Sequence, residues 1–144
     1  GFGVMPNEFI EPISRLVTNS VSCTASFTQM AVLEALDGPQ DEAFGIVAEF
    51  KKRRKIIVDG LNSISGIRCN LPEGAFYAFP NIQDTGMSSQ QFADRLLEEE
   101  GVACLNGSSF GEYGEGYIRF SFANSSENIE EALNRIDNFV SKNT

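Results

Sequence analysis

Tyr117-Ile118-Arg119-Phe120-Ser121-Phe122 alternates residue by residue between two kinds of surface. A strand turns successive side chains to opposite faces, so Ile118, Phe120 and Phe122 share one face while Tyr117, Arg119 and Ser121 share the other. The first set is wholly apolar and belongs against a core. The second sets a cation beside an aromatic ring and a hydroxyl. An arginine in mid-strand among aromatics is expected to be substantially buried, and a buried guanidinium needs an anion. Its planar fork pairs with a carboxylate through two parallel hydrogen bonds. Two readings are open at this point: a structural ion pair with one of the chain's many acidic residues, or recognition of a substrate carboxylate.

Outward from this strand the pattern stays α+β. Beyond it, Asn124-Ser125-Ser126 offers helix caps, and Ile129, Ala132, Leu133, Ile136, Phe139 and Val140 recur at helical spacing, the cleanest amphipathic helix in the chain. Before it lie a glycine-rich loop from Asn106 to Gly116 and a strand at Val102-Ala103-Cys104-Leu105 that composition marks as buried. Ser88 and Gln91 have the spacing of a capping box, opening a helix with Phe92, Leu96 and Leu97 on its apolar side and Gly101 at its end. Ala75 to Phe79 reads as a strand stopped by Pro80, and Ile67-Arg68-Cys69 as a short strand between turns at Ser65-Gly66 and Leu71 to Gly74. Residues 65 to 144 thus read β-β-α-β-β-α, helices packed on one small sheet.

The first 64 residues read differently. Gly1 to Val4 looks like the end of a strand, and Pro6 suits the first turn of a helix whose stripe is Phe9, Ile13, Leu16 and Val17, with Pro12 expected to kink or delay it. The polar stretch Asn19 to Thr24 leads into a strong helix former, Phe27 to Leu36. Asp37-Gly38-Pro39 ends it, and a long helix is expected from Gln40 to about Ile64, with Phe44, Val47, Ile57, Val58 and Leu61 along one side. These helices need something else to pack on.

Composition excludes several chemistries. The 144 residues carry Lys+Arg 11 against Asp+Glu 20 and no histidine, a net charge of -9. Without histidine there is no Ser-His-Asp or Cys-His nucleophile and no His-based metal site. The acidic balance argues against nucleic-acid binding, and no apolar run approaches the ~18 residues that cross a bilayer. Cys23, Cys69 and Cys104 are odd in number and far apart, which favours free thiols over disulfides or zinc, with Cys69 and Cys104 buried as small hydrophobes. The glycines from Gly107 to Gly116 lack the lysine and following helix of a phosphate cradle, so the loop reads as a flexible connection between strands. Lys51-Lys52-Arg53-Arg54-Lys55 on a helix points around more than one turn and reads as a solvated face, as does Glu98-Glu99-Glu100.

Seven short stretches in order resemble a known family: Gly1-Phe2-Gly3-Val4, Ala31-Val32-Leu33-Glu34-Ala35-Leu36, Arg53-Arg54, Gly74-Ala75-Phe76-Tyr77, Gly101-Val102-Ala103, Gly107-Ser108-Ser109-Phe110-Gly111 and Tyr117-Ile118-Arg119-Phe120-Ser121-Phe122-Ala123. Together they resemble the C-terminal part of a class I/II, aspartate-aminotransferase-like enzyme of fold type I that uses pyridoxal 5'-phosphate. The resemblance implies that residues 1 to 38, a strand end and two helices, are the tail of the large cofactor-binding domain. It makes 39 to 64 the long connecting helix and 65 to 144 the small domain. It implies that Arg119 binds the substrate α-carboxylate, and that the loop from Ser22 to Ser26 approaches the active site across a homodimer interface. In the family the Schiff-base lysine, the arginine gripping the cofactor phosphate and the aspartate facing the pyridine nitrogen correspond to positions upstream of Gly1. No catalytic or cofactor-binding residue is therefore assigned within the chain, whose lysines are Lys51, Lys52, Lys55 and Lys142. Asn106 stands where the family usually has a proline.

The resulting expectation is a C-terminal fragment of an aminotransferase. The parent enzyme would move an amino group between an amino acid and a 2-oxo acid, and the fragment would be inactive alone. It would expose apolar surface on residues 1 to 38. The cytoplasm is the expected compartment unless a targeting segment ahead of Gly1 directs the enzyme to an organelle. The alternative is a free-standing non-catalytic module that binds a small carboxylate or a protein partner. A third reading is a lyase or decarboxylase on the same fold.

Overall fold

In the computed structural model, which describes residues 1–143, the alternating segment forms the central strand of a small antiparallel sheet. Its strands are β1 (Tyr77–Ala78), β2 (Leu105–Asn106) and β3 (Ile118–Ser121), in the spatial order β1-β3-β2. Tyr77 lies opposite Ser121 and Ala78 opposite Phe120 on one side, Leu105 opposite Arg119 and Asn106 opposite Ile118 on the other. Thr144, the last residue of the expected small domain, lies outside the described residues. The chain divides into one unit from Gly1 to Glu42 and a second from Ala43 onward.

The second unit holds the core. Ile118, Phe120 and Phe122 are buried as their alternation requires, and the face they form, with Ala78, meets three helices. These are α3 (Asp41–Ser63), α4 (Ser89–Glu100) and α5 (Ser126–Asn143), which contribute Ile57, Val58 and Leu61, Phe92 and Leu96, and Ile129, Ile136, Phe139 and Val140. Phe92 meets Phe139 edge to face at 5.2 Å, a preferred aromatic geometry. A Cβ on Gly60 would come within 2.8 Å of the Leu133 Cδ2 atom, so a larger residue in α3 would oblige the Leu133 side chain on α5 to move. Both arms of the capping box at Ser88 and Gln91 are formed, and Gly101 closes α4 in the left-handed conformation.

Several expected elements are shorter. The strand over Ala75 to Phe79 reduces to Tyr77–Ala78, because Ala75 has a φ of 57° and breaks the extended run, although the Phe122 amide still donates to the Phe76 carbonyl. Of Ile67 to Cys69, only Arg68 pairs, with Asn81. The strand expected at Val102 to Leu105 is displaced to Leu105–Asn106. Val102 is buried but its amide donates back to the Leu96 carbonyl, and Leu105 is exposed. The basic run is only partly solvated. The three lysines are exposed, but Arg53 stacks over Phe50 and bonds Glu49, while Arg54 donates to the Pro72 carbonyl.

All three cysteines are free, with Cys69 buried and Cys104 partly so. Burial, reinforced by Asp94, pushes the Cys104 thiol up to about 12 from 9.0. A thiol whose folded value is raised contributes stability in full below pH 9 and loses it as pH climbs towards 12. The denaturation midpoint is therefore expected to fall across that range, less steeply in Cys104→Ala than in the parent. Parallel profiles for the two would contradict this.

The first unit contains α1 (Asn7–Ser20) and α2 (Ser26–Asp37), and neither buries a residue. Phe9, Ile10, Leu16, Phe27, Met30 and Leu36 are all exposed, matching the apolar surface expected for residues 1 to 38. Gly1 to Val4 is not a strand, and no strand among the described residues pairs with it. The helix α1 runs through Pro12 without delay. The hydrogen bond that Pro12 forgoes is the one to Glu8, in the helix's first turn.

Candidate functional site

The sheet face opposite the core carries Tyr77, Phe79, Tyr117 and Arg119, none of them fully buried. Arg119 is half-buried, and its guanidinium carbon lies 4.4 Å from the centroid of Tyr77 and 4.5 Å from that of Phe110. The two rings reach it from different sides, Tyr77 from β1 and Phe110 from the loop after β2. The structural ion pair that the sequence left open does not form among the described residues. Every salt bridge among the described residues belongs to another basic group.

The rings are themselves held. Phe110 meets Phe79 edge to face at 6.2 Å, Phe79 stacks on Tyr117 at 5.3 Å with planes 7° apart, and Tyr77 packs on Phe76 at 4.5 Å. The loop that brings Phe110 is folded rather than loose. Two short 3-10 turns, Gly107–Phe110 and Glu112–Gly114, replace the open connection expected there. Asn106 caps the first: its side-chain oxygen accepts from the Ser109 amide at 2.8 Å and the Ser109 hydroxyl at 2.7 Å, and its Nδ2 donates to Gln90 at 2.6 Å. Asparagine thus does by side-chain capping what a proline would do by fixing φ. The loop's far end is pinned to α4: the fully buried Ser89 Oγ accepts from the Gly116 amide at 2.8 Å, and Glu115 accepts from the Ser89 amide at 2.9 Å.

This arrangement can bind an anion in the plane of the guanidinium. A cavity of about 360 Å³ beside α5, bordered by Val102, Ser121, Asn128 and Ile136, does not include Arg119, which is half-buried on the other face of the sheet. The lysines are not brought to it. Lys52, Lys55 and Lys142 pair with Glu49, Asp59 and Glu100, and Lys51 is exposed on α3. Beside Arg119 no lysine among the described residues stands ready to react with the aldehyde of pyridoxal phosphate. No cluster of three metal-ligating side chains occurs among the described residues. The sequence singles out Arg119 as a candidate but not Tyr77 or Phe110, the rings that the structure places against it. Antiparallel pairing of the two aromatic strands would have put Tyr77 on the arginine's face, whereas nothing in the sequence announced Phe110.

The profile of the family described as aminotransferase class I and II matches residues 1–136. An aspartate aminotransferase of Pyrococcus horikoshii is 45% identical over 141 residues, covering 95% of this chain and 36% of its own length. The solved aromatic aminotransferase of Pyrococcus horikoshii superposes with a TM-score of 0.92 at 35% identity, over 96% of this chain and 38% of that one. The aspartate aminotransferase of Rhizobium meliloti gives 0.91 at 34% identity, over 96% and 37%. The chain thus spans little more than a third of the length of the relatives it matches.

Proposed function

The chain belongs to the class I and II aminotransferases, and on that premise we propose that it is the carboxylate-recognising portion of an enzyme that transfers an amino group between an amino acid and a 2-oxo acid. Arg119 takes the substrate α-carboxylate, each carboxylate oxygen accepting an N–H from the planar fork. Held at that end, the substrate presents its amino-bearing carbon in a fixed register to the chemistry at the cofactor. Pyridoxal phosphate supplies the electron sink for that chemistry, and in this reading it is held by residues outside this chain, as is the lysine that reacts with it. A homodimer in the cytoplasm is the expected setting, and among the described residues no helix is long and apolar enough to cross a membrane.

The observation that carries this reading is the half-buried Arg119 with its guanidinium over two rings and free of any acidic partner among the described residues. The rival free-standing module gains no support from relatives such as the aspartate aminotransferase of Pyrococcus horikoshii, and the uncovered apolar helices in Gly1–Glu42 argue against it. The test is spectroscopic. The purified 144-residue chain, mixed with pyridoxal phosphate and freed of the excess, is expected to retain no aldehyde-derived absorbance band. A retained band that shifts on adding L-aspartate or L-phenylalanine would overturn the assignment of the reactive lysine to residues outside the chain.

A further inference from the structure

We propose that Tyr77 and Phe110 are positioning residues for carboxylate recognition: their rings hold the Arg119 guanidinium in place of an acidic partner and so keep its N–H fork ready for the substrate. The inference rests on the reading of Arg119 given above.

The comparison with the other arginines carries it. The chain has seven, and five of them, Arg15, Arg53, Arg68, Arg95 and Arg135, form salt bridges. Arg54 donates to the Pro72 carbonyl. Arg53 and Arg95 also stack on rings, each over one, at 5.6 and 5.5 Å, and each keeps a glutamate as well. Arg119 has two rings, each about 1 Å closer, and no carboxylate among the described residues. In a chain with 20 acidic residues against 11 basic ones, an arginine would ordinarily find an acid.

The choice of partner decides what the arginine can do. A carboxylate would hold the side chain firmly but would occupy the fork, and a substrate would have to displace it. A ring attracts the cation through its negative face and has no lone pair in the guanidinium plane, where all five N–H donors lie. Ring contact therefore orders the side chain while leaving its donors available. It also removes most of the ordering entropy from the binding event, which is how preorganisation raises affinity. The bracing of Phe110 by Phe79, and of Phe79 by Tyr117, fits rings that have to stay in place.

The experiment uses the complete enzyme carrying this chain, with succinate and 3-phenylpropionate as carboxylates that lack the reacting amino group. Calorimetry gives their Kd, and steady-state assays with L-aspartate or L-phenylalanine as donor and 2-oxoglutarate as acceptor give KM and kcat. Tyr77→Leu and Phe110→Leu are each expected to weaken carboxylate binding about 3- to 30-fold, with KM rising in step and kcat much less affected. Tyr77→Phe is expected to recover the affinity that Tyr77→Leu loses. Equal weakness of the two Tyr77 variants would assign the contact to the hydroxyl and overturn the proposal. So would ring variants that lose thermal stability and kcat at unchanged Kd. Arg119→Gln separates the two levels. If it leaves Kd unchanged, the reading of Arg119 itself falls; if it weakens binding while both leucine variants bind like the parent, only the role of the rings falls.

Discussion

Replacing Arg119 by alanine in the complete enzyme is expected to lower kcat/KM for amino-acid donors about a hundredfold, mostly through KM. Truncating one partner of a desolvated, hydrogen-bonded charge pair costs ~2–5 kcal/mol, and the hundredfold figure lies in the lower half of that range. The lower half is appropriate because Arg119 is only half-buried, so water partly replaces what the arginine gave. Some loss in kcat should accompany it, since a carboxylate no longer held in register leaves the reacting carbon poorly aligned. Arg119→Lys should recover part of the affinity and no more. An ammonium restores the charge but not the two-pronged geometry or the stacking on flat rings. The fold should tolerate both changes. Arg119 supports no ion pair among the described residues, and its two ring contacts are worth ~1–2 kcal/mol together. Unchanged KM and kcat in Arg119→Ala would remove the arginine from the substrate site.

Local signals carried much of this architecture, and where they failed the cause is tertiary. The helix at Ser89–Glu100 was legible because its capping box, apolar stripe and closing glycine agree with one another. The faces of β3 followed from period two alone. Strand lengths did not follow, because pairing is decided by the neighbour. Ala75 adopts a left-handed conformation that its sequence context does not demand, and Leu105 turns outward although its composition suggested a core. The site shows the same division. Arg119 stood out because a charge in mid-strand has to be explained. Its aromatic partners come from 42 residues upstream and 9 residues upstream, and only the register of β1 on β3 and the folding of the loop after β2 bring them together.

The loop that delivers Phe110 depends on two glycines, and the effect of filling one of them is expected to be large. A Cβ at Gly107 would fall on the Gly114 carbonyl oxygen and lie 2.6 Å from that of Tyr117, while one at Gly114 would fall on the carbonyl of Gly107. Neither glycine has a left-handed φ, so the requirement is for close approach of two backbones rather than for an unusual conformation. Carbonyl groups in hydrogen-bonded turns cannot swing aside as a side-chain end can: the Gly107 amide donates to Tyr117, and the Gly114 carbonyl accepts from the Tyr117 amide. Gly107→Ala is therefore expected to destabilise the fold by ~3 kcal/mol, the upper end of overpacking costs, read as a lowered midpoint in chemical denaturation. Because the loop must open to relieve the overlap, Phe110 should leave Arg119, and carboxylate affinity should fall along with stability. Gly45 supplies the contrast. It sits exposed in α3 with nothing within 4 Å of its virtual Cβ, so the same substitution there should stabilise by up to ~1 kcal/mol through helix propensity. Equal effects at the two positions would mean that the close backbone approach at Gly107 does not set the shape of the loop, and that Phe110 is placed by its own packing on Phe79.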